Sequence, residues 1–158
     1  MKNKTVFIML LFCAIPVLTN CSGKQQTPPP NIQFQTFKLS HSAGPCYPGD
    51  DCGGFIELSS DGTLSYDKFG ELPEGTIHTT SVTQAEFDAA VPVLTDNSLI
   101  ALLDLPGEIC PLLYDIHETM TLWTMEGKTH SHATAGCSNQ SIKNARQILD
   151  DLANSYFP

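Results

Sequence analysis

The chain has 158 residues, of which 8 are basic and 17 are acidic, and its formal net charge is −9. This excess of negative charge repels phosphate backbones, so the composition argues against nucleic-acid binding. The length suits one domain with a single hydrophobic core.

The N-terminus has the features of an export signal. A short basic segment, Met1–Lys4, precedes an apolar run from Val6 to Val17. At about 1.5 Å per residue this run cannot cross a hydrocarbon core of about 30 Å as a helix, so it predicts a signal peptide.

Leu18 to Asn20, before Cys21, resemble the processing site of bacterial lipoproteins. We therefore predict a signal peptide at 1–20 and an acylated Cys21 that anchors the chain to a membrane. The alternative is a conventional signal peptide that leaves Cys21 as a free thiol.

A proline-rich tether of residues 21–33 comes next. Pro28 to Pro30 favour an extended polyproline II conformation, so this segment is expected to hold the domain away from the membrane. By resemblance to the sorting of Gram-negative lipoproteins, Ser22 after the acylated cysteine points to the outer membrane, with the domain facing the periplasm. Loss of Lys2 and Lys4 with the signal peptide changes the net charge to −11.

Four cysteines remain in the predicted domain, residues 34–158: Cys46, Cys52, Cys110 and Cys137. An even number of cysteines in an exported protein predicts disulfides. Of the three possible connectivities, we favour Cys46–Cys52, which closes a small acidic loop, and Cys110–Cys137, which brackets a hairpin. The alternative, a zinc site made of these thiols, lacks the short ligand spacing of zinc motifs.

The first half of the domain predicts strands and a hairpin. Phe34 to Leu39 alternate apolar and polar residues, as a half-buried strand does. Phe55–Ser59 and Thr63–Tyr66 follow as a hairpin, and its turn type is set by register. A three-residue loop with Gly62 left-handed pairs Leu58 with Leu64, whereas a two-residue turn scatters the apolar residues over both faces.

A strand at Thr76–Thr80 and a helix are predicted next. Thr83 and Glu86 form a capping box, so the helix is expected to begin at Gln84, and Val82 and Phe87 suit a hydrophobic staple. Pro92 is expected to kink the helix or mark its last turns. Asp96 or Ser98 is expected to cap a short further helix.

The second half predicts another hairpin and a final helix. The hairpin strands run from Tyr114 to Met125 and from Lys128 to Thr134, with the turn at Glu126-Gly127. A helix from Ser141 places Ala145, Leu149, Leu152 and Tyr156 on one side. Together these elements predict an α+β fold: a small antiparallel sheet of about five to six strands with two main helices packed on one face, stapled by disulfides.

The strongest candidate for metal chemistry is the pair His130 and His132, which point the same way if they lie in a strand. Neutral imidazoles suit zinc or copper. With a two-residue turn both histidines lie on the face of Trp123, and His117 is too distant to share a metal. With a three-residue turn His130 pairs with Leu122 and both histidines point to the core. A full ligand set is missing in either register.

Catalytic motifs are not found in the sequence, so we expect no enzyme and no cofactor. The acidic pairs Asp50-Asp51 and Asp150-Asp151 have the chemistry to bind calcium or to act as acid and base. A hydrolase that uses the carboxylates of Asp50 and Asp51 is therefore kept as an alternative.

The domain resembles a group of small bacterial exported domains of unknown function. The resemblance rests on Gly44-Pro45-Cys46, on Cys52, on the Asp61-Gly62 hairpin, and on the capped helix with Phe87 and the closing strands and helix. It brings no catalytic residues with it. The order of elements is also loosely similar to that of emfourin-type protease inhibitors, which is an analogy of architecture alone.

These patterns together predict a tethered, non-enzymatic module that binds a protein partner in the bacterial envelope, with an inhibitory, immunity or assembly role. The binding surface is expected to be either the acidic loop, with Tyr47, Asp50 and Asp51, or an exposed face of the sheet. The alternative is a metal-handling lipoprotein that uses His130 and His132.

Overall fold

The structure, a computed structural model, describes residues 33–44, 52–71, 75–111 and 115–158. The predicted α+β fold is confirmed, with two main helices and the expected short one. None of the helices in the described ranges is long and apolar enough to span a membrane. The elements are β1 Phe34–Ala43, β2 Gly53–Ser59, β3 Thr63–Asp67, β4 Ile77–Ser81, α1 Gln84–Leu94, α2 Asn97–Leu103, β5 Ile116–Thr124, β6 Thr129–Ala133 and α3 Gln140–Tyr156.

The six strands form one antiparallel sheet in the order β4-β3-β2-β1-β5-β6. The first four strands form a meander, and β5 pairs with the free side of β1 after α1 and α2. Alternation along each strand places the buried side chains on one face, called here the core face. The buried apolar residues of the core face include Phe37, Leu39, Ile56, Leu58, Leu64, Met120 and Leu122, and those of the helices include Leu94, Leu99, Leu103, Ile142 and Leu149.

The first hairpin has the predicted register. Leu58 pairs with Leu64, and Ile56 pairs with Tyr66. Gly62 has a φ of 81°, the left-handed conformation that the three-residue loop requires. The prediction succeeded because a slip of one residue would have turned Leu58 out of the core.

The start of α1 is also as predicted. Thr83 is the N-cap: its side chain accepts a hydrogen bond from the Glu86 N–H, and the Glu86 carboxylate accepts one from the Thr83 N–H. Pro92 lies within the last turn of α1. Its ring removes one N–H donor and crowds the carbonyl four residues earlier, and the helix ends two residues later at Leu94. Asp96 rather than Ser98 caps α2, because its carboxylate accepts from the N–H groups of Ser98 and Leu99.

The second hairpin has the three-residue turn, so the two-residue alternative is wrong. His130 pairs with Leu122, and Gly127 takes the left-handed conformation with a φ of 79°. This register places His130 and His132 on the core face with Met120 and Leu122, while Trp123 and Ala133 lie on the opposite face.

Helix α3 begins at Gln140, one residue before the predicted start at Ser141. The cap is Asn139, whose side chain accepts from the Ser141 N–H at 2.9 Å. Tyr156 is half-buried rather than part of the core, because its hydroxyl donates to Glu86 at 2.5 Å. This bond ties the end of α3 to the capping box of α1. The buried residues of α3 are Ile142, Ala145, Leu149, Leu152 and Ala153.

Gly54 allows the chain after β3 to pass close over β2. A Cβ at this position would lie 2.6 Å from the Asp67 carbonyl oxygen and 2.9 Å from the Phe69 nitrogen, both of them backbone atoms. We expect Gly54→Ala to lower the free energy of unfolding by about 1–3 kcal/mol, as other overpacked sites do. Urea denaturation measures this loss. Gly53→Ala is the control, because its nearest contact is an ordinary 3.7 Å; equal effects of the two variants would contradict the expected crowding.

Candidate functional site

Ionisable side chains gather at one end of the sheet, beneath the middle of α3. Arg146 is the only arginine of the chain. Its Nε donates to Oε2 of Glu118 at 2.9 Å, and its Nη2 donates to Oε1 at 2.5 Å. This two-bond geometry holds the guanidinium and the carboxylate in one plane.

The Glu118 carboxylate is shielded and fully engaged. Its side chain is only 14% exposed, and its Oε1 also accepts from the hydroxyl of buried Thr134 at 2.6 Å. Arg146 Nη2 reaches the Thr134 carbonyl at 3.2 Å. The hydrogen bonds to Glu118 raise the pKa of Arg146. The cluster therefore clamps α3 to β5 and to the segment after β6.

Asp150 lies one turn further along α3, near His41 and Arg146. Burial raises the pKa of its carboxyl above the ordinary value, and the positive charges of His41 and Arg146 oppose that shift. The carboxylates of Glu118 and Asp151 add to it. The pair Asp150-Asp151, noted in the sequence, is thus not one site: Asp151 is exposed and accepts from Gln147 at 2.8 Å.

The raised pKa of Asp150 gives a pH-dependent prediction. A carboxyl whose folded-state pKa is raised stabilises the fold below its unfolded pKa of about 3.9, and that stability is lost as the pH rises through the folded value. We expect Asp150→Asn to raise the urea midpoint at pH 7 and to leave it nearly unchanged at pH 3. Asp151→Asn, an exposed change of the same charge, is the control and should have little effect at either pH. A lower midpoint of Asp150→Asn at pH 7 would contradict the prediction.

A cleft of about 250 Å³ lies on the core face beside β4. Tyr66 and Phe157 stack at its base with ring centroids 5.5 Å apart. His78 Nε2 lies 2.9 Å from Glu71 Oε2, and Lys68 lines the cleft as well. Burial raises the pKa of Tyr66, and the negative charges of Asp150 and Glu71 add to this shift. The cleft is suited to receive one side chain with both apolar and polar parts.

The sequence does not predict this cleft. Tyr66, His78 and Phe157 come from two strands and the end of α3, and only the packing of α3 on the sheet brings them together. The spacing of these residues along the chain carries no signal of their contact.

His130 is buried, at 3% exposure, and faces the helices as the three-residue register requires. Its Nδ1 lies 2.7 Å from Oδ1 of Asp104, the residue that ends α2. Lys128 approaches the other oxygen of Asp104 at 3.5 Å. The ring thus links β6 to α2, a structural role that accounts for its burial.

His132 is half-buried, and its Nδ1 lies 3.0 Å from the Ala133 carbonyl oxygen. Together with His117 and Glu118 it lines a small cavity of about 90 Å³. Within the described ranges, no group of three or more His, Cys, Asp or Glu side chains is arranged to hold a metal ion. Among the described residues, none is therefore placed as a third ligand beside His130 and His132.

The predicted bridge between Cys110 and Cys137 is present. Cys52 is disulfide-bonded as well, while its predicted partner Cys46 lies outside the described residues. The same is true of the predicted lipidation site Cys21 and of Tyr47, Asp50 and Asp51, the predicted acidic-loop residues. The predicted signal peptide at 1–20 also lies outside them, as does the predicted tether apart from Gln33.

The second face of the sheet, called here the open face, is not covered by any of the described helices. Its side chains form three rows that cross all six strands, and eleven of the eighteen residues are Ser or Thr. None of the eighteen is buried. The rows are Thr79, Ser65, Glu57, Lys38, Thr121 and Ser131; Ile77, Asp67, Phe55, Ser40, Thr119 and Ala133; and Ser81, Thr63, Ser59, Thr36, Trp123 and Thr129.

Lys38 lies at the centre of the open face. Its Nζ is 3.7 Å from the centroid of the Phe55 ring and 3.9 Å from Oε2 of Glu57. On the neighbouring strands the hydroxyls of Thr121 and Ser131 are 2.8 Å apart. The face thus offers short, rotatable hydroxyl groups that can form hydrogen bonds, placed around the aromatic rings of Phe55 and Trp123. These aromatic side chains lose little conformational entropy when a partner covers them.

No protein-family model matches the chain, and a search of the curated proteins finds no match. The resemblance to small exported domains, drawn from Gly44-Pro45-Cys46 and the Asp61-Gly62 hairpin, therefore stays a prediction.

Proposed function

We propose that the chain is a lipoprotein of the bacterial cell envelope whose domain, residues 34–158, binds a protein partner without catalysis. In this proposal Cys21 carries the lipid, residues 21–33 form the tether, and the domain faces the periplasm from the outer membrane. The role is that of an inhibitor, an immunity protein or an assembly factor.

The observation that carries the proposal is the open face. A sheet with helices on one side only leaves its other side to solvent or to a partner, and this face holds Phe55 and Trp123 among adaptable hydroxyl groups. Of its eighteen residues only Lys38, Glu57 and Asp67 are charged, and Lys38 and Glu57 pair with each other. A surface with few charges to desolvate suits a protein interface.

The experiment is site-specific photocrosslinking of the full-length chain in its native host. A photoreactive side chain at Thr121, in the middle of the open face, is expected to form one protein adduct of defined mass. The matched position is Gln147, which is exposed on α3 and should form no adduct. Reversal of the central charge, Lys38→Glu, should abolish the Thr121 adduct.

Two results would contradict the proposal. One is an equal set of adducts from Thr121 and Gln147, which indicates random encounters. The other is the absence of an adduct at Thr121 in a chain whose intact mass shows lipid on Cys21. Cys21→Ser tests the anchor separately, since it is expected to move the protein from the membrane fraction to the soluble fraction.

A further inference from the structure

Among the described residues, β4 pairs with β3 alone, so its outer edge presents a row of backbone groups that bond to no other described strand. The Val82 N–H donates to the Gly62 carbonyl at 3.0 Å. Because hydrogen-bonded pairs alternate along an antiparallel ladder, the next bonded pairs are Leu64 with Thr80 and Tyr66 with His78. The N–H and C=O groups of the intervening β4 residues, Ile77, Thr79 and Ser81, therefore point away from β3.

Strand β4 lacks the usual features that protect an edge. Its sequence, Ile77 to Ser81, contains no Lys, Pro, Asp or Glu. The opposite edge strand, β6, is different, because α2 packs against it and Lys128 lies just before it. Of the two edges, β4 is the better template for another strand.

The cleft of Tyr66, Glu71, His78 and Phe157 lies next to this edge. In a strand added to β4, alternate side chains would point to the core face, on which Tyr66 and His78 also lie. One of these side chains would enter the cleft. Backbone pairing would supply affinity and the cleft would supply selectivity, as in other cases of strand addition.

The charges around β4 favour a basic segment. Asp67 pairs with Ile77 in the sheet, Glu71 lies at the cleft, and Glu86 follows in the first turn of α1. Lys68 is the one cation among the residues that line the described cleft. The chain as a whole carries a net charge of −9, so a positively charged segment is attracted over a longer range.

We propose that the outer edge of β4 binds an extended, basic segment of a partner protein as a seventh strand, with one of its side chains in the cleft. This surface consists of the outward backbone groups of β4 and the cleft on the core face, whereas the open face is made of side chains, including those of Ile77, Thr79 and Ser81. The inference depends on the edge alone and survives if the open face proves not to be an interface.

The test is an NMR titration of the full-length protein in detergent micelles. The probe is a capped heptapeptide of alternating lysine and valine. We expect shifted and more slowly exchanging amides at Ile77, Thr79 and Ser81. Thr79→Pro removes one outward N–H without breaking a bond to β3 and should weaken binding about tenfold. Thr79→Val keeps that N–H and should bind within about twofold of the wild type.

Several results would overturn the inference. Shifts confined to β6 or to Trp123 would place the probe elsewhere, and equal binding of a heptapeptide with glutamate in place of lysine would exclude the basic class. Protection of the Thr79 amide that depends on protein concentration alone would show that a second copy occupies the edge. If Thr79→Pro does not fold, the exchange rate of the wild-type Thr79 amide with and without the probe decides the question.

Discussion

Arg146→Met is expected to lower the free energy of unfolding by about 2–4 kcal/mol, one of the two largest effects predicted for this protein. The variant keeps an unbranched apolar stem but leaves the Glu118 carboxylate, 14% exposed, without its cation. A shielded charge that loses its partner keeps its desolvation cost and loses the compensating attraction. Urea denaturation at pH 7 measures the loss.

Lys143→Met is the matched control, because Lys143 is exposed on the same helix, one turn earlier. Its effect should stay within about 0.5 kcal/mol. Arg146→Lys should fall between the two variants, since it keeps the charge and loses the bidentate geometry. The double variant Arg146→Met with Glu118→Leu should recover part of the stability, because no charge is then left unpaired. Equal midpoints for Arg146→Met and Lys143→Met would show that the clamp contributes nothing.

Removal of the bridge between Cys110 and Cys137 is expected to cost about 3–4 kcal/mol. The two residues are 27 positions apart, so the bridge restricts a large loop of the unfolded chain. In the folded domain it holds the connection between α2 and β5 against the segment before α3. Cys137 is 6% exposed and belongs to the core, so serine there adds the cost of a buried hydroxyl.

Single and double variants provide the check. Cys110→Ser and Cys137→Ser each break the same bond, so each alone should lose nearly as much stability as the double variant in urea denaturation. Losses that add up across the two sites would show that packing of the side chains, and not the covalent bond, carries the effect. A loss below about 1 kcal/mol would contradict the loop-entropy argument.

The elements that the sequence predicts correctly are those whose controlling interactions are close along the chain. Thr83 and Glu86 are three residues apart, and their reciprocal bonds define the start of α1 wherever that helix packs. The first hairpin was resolved because only one register buried Leu58 and Leu64 together. The second hairpin stayed ambiguous because its histidines are acceptable on either face, so hydrophobicity alone did not select the turn.

The candidate sites could not be derived in the same way. Arg146 and Glu118 are 28 residues apart, and Glu118 gave no signal because a lone carboxylate in a strand is usually solvated. The row of Thr79, Glu57 and Lys38 on the open face exists only through the strand order, which no local pattern states. The same order places β4 at an edge.

The sequence by itself determined the α+β class, the turn of the first hairpin and the cap of α1, since turns, caps and apolar periodicity act over a few residues. It favoured the pairing of Cys110 with Cys137 among three possible connectivities, and the structure contains that bridge. Only the tertiary structure decided which polar groups meet: the clamp of Arg146 on Glu118, the burial of His130 against Asp104, and the cleft lined by Tyr66, His78 and Phe157. The physical reason is that the burial of apolar surface between the helices and the sheet selects which distant residues meet. Polar side chains are brought together by that packing, and their contacts leave no pattern in the sequence.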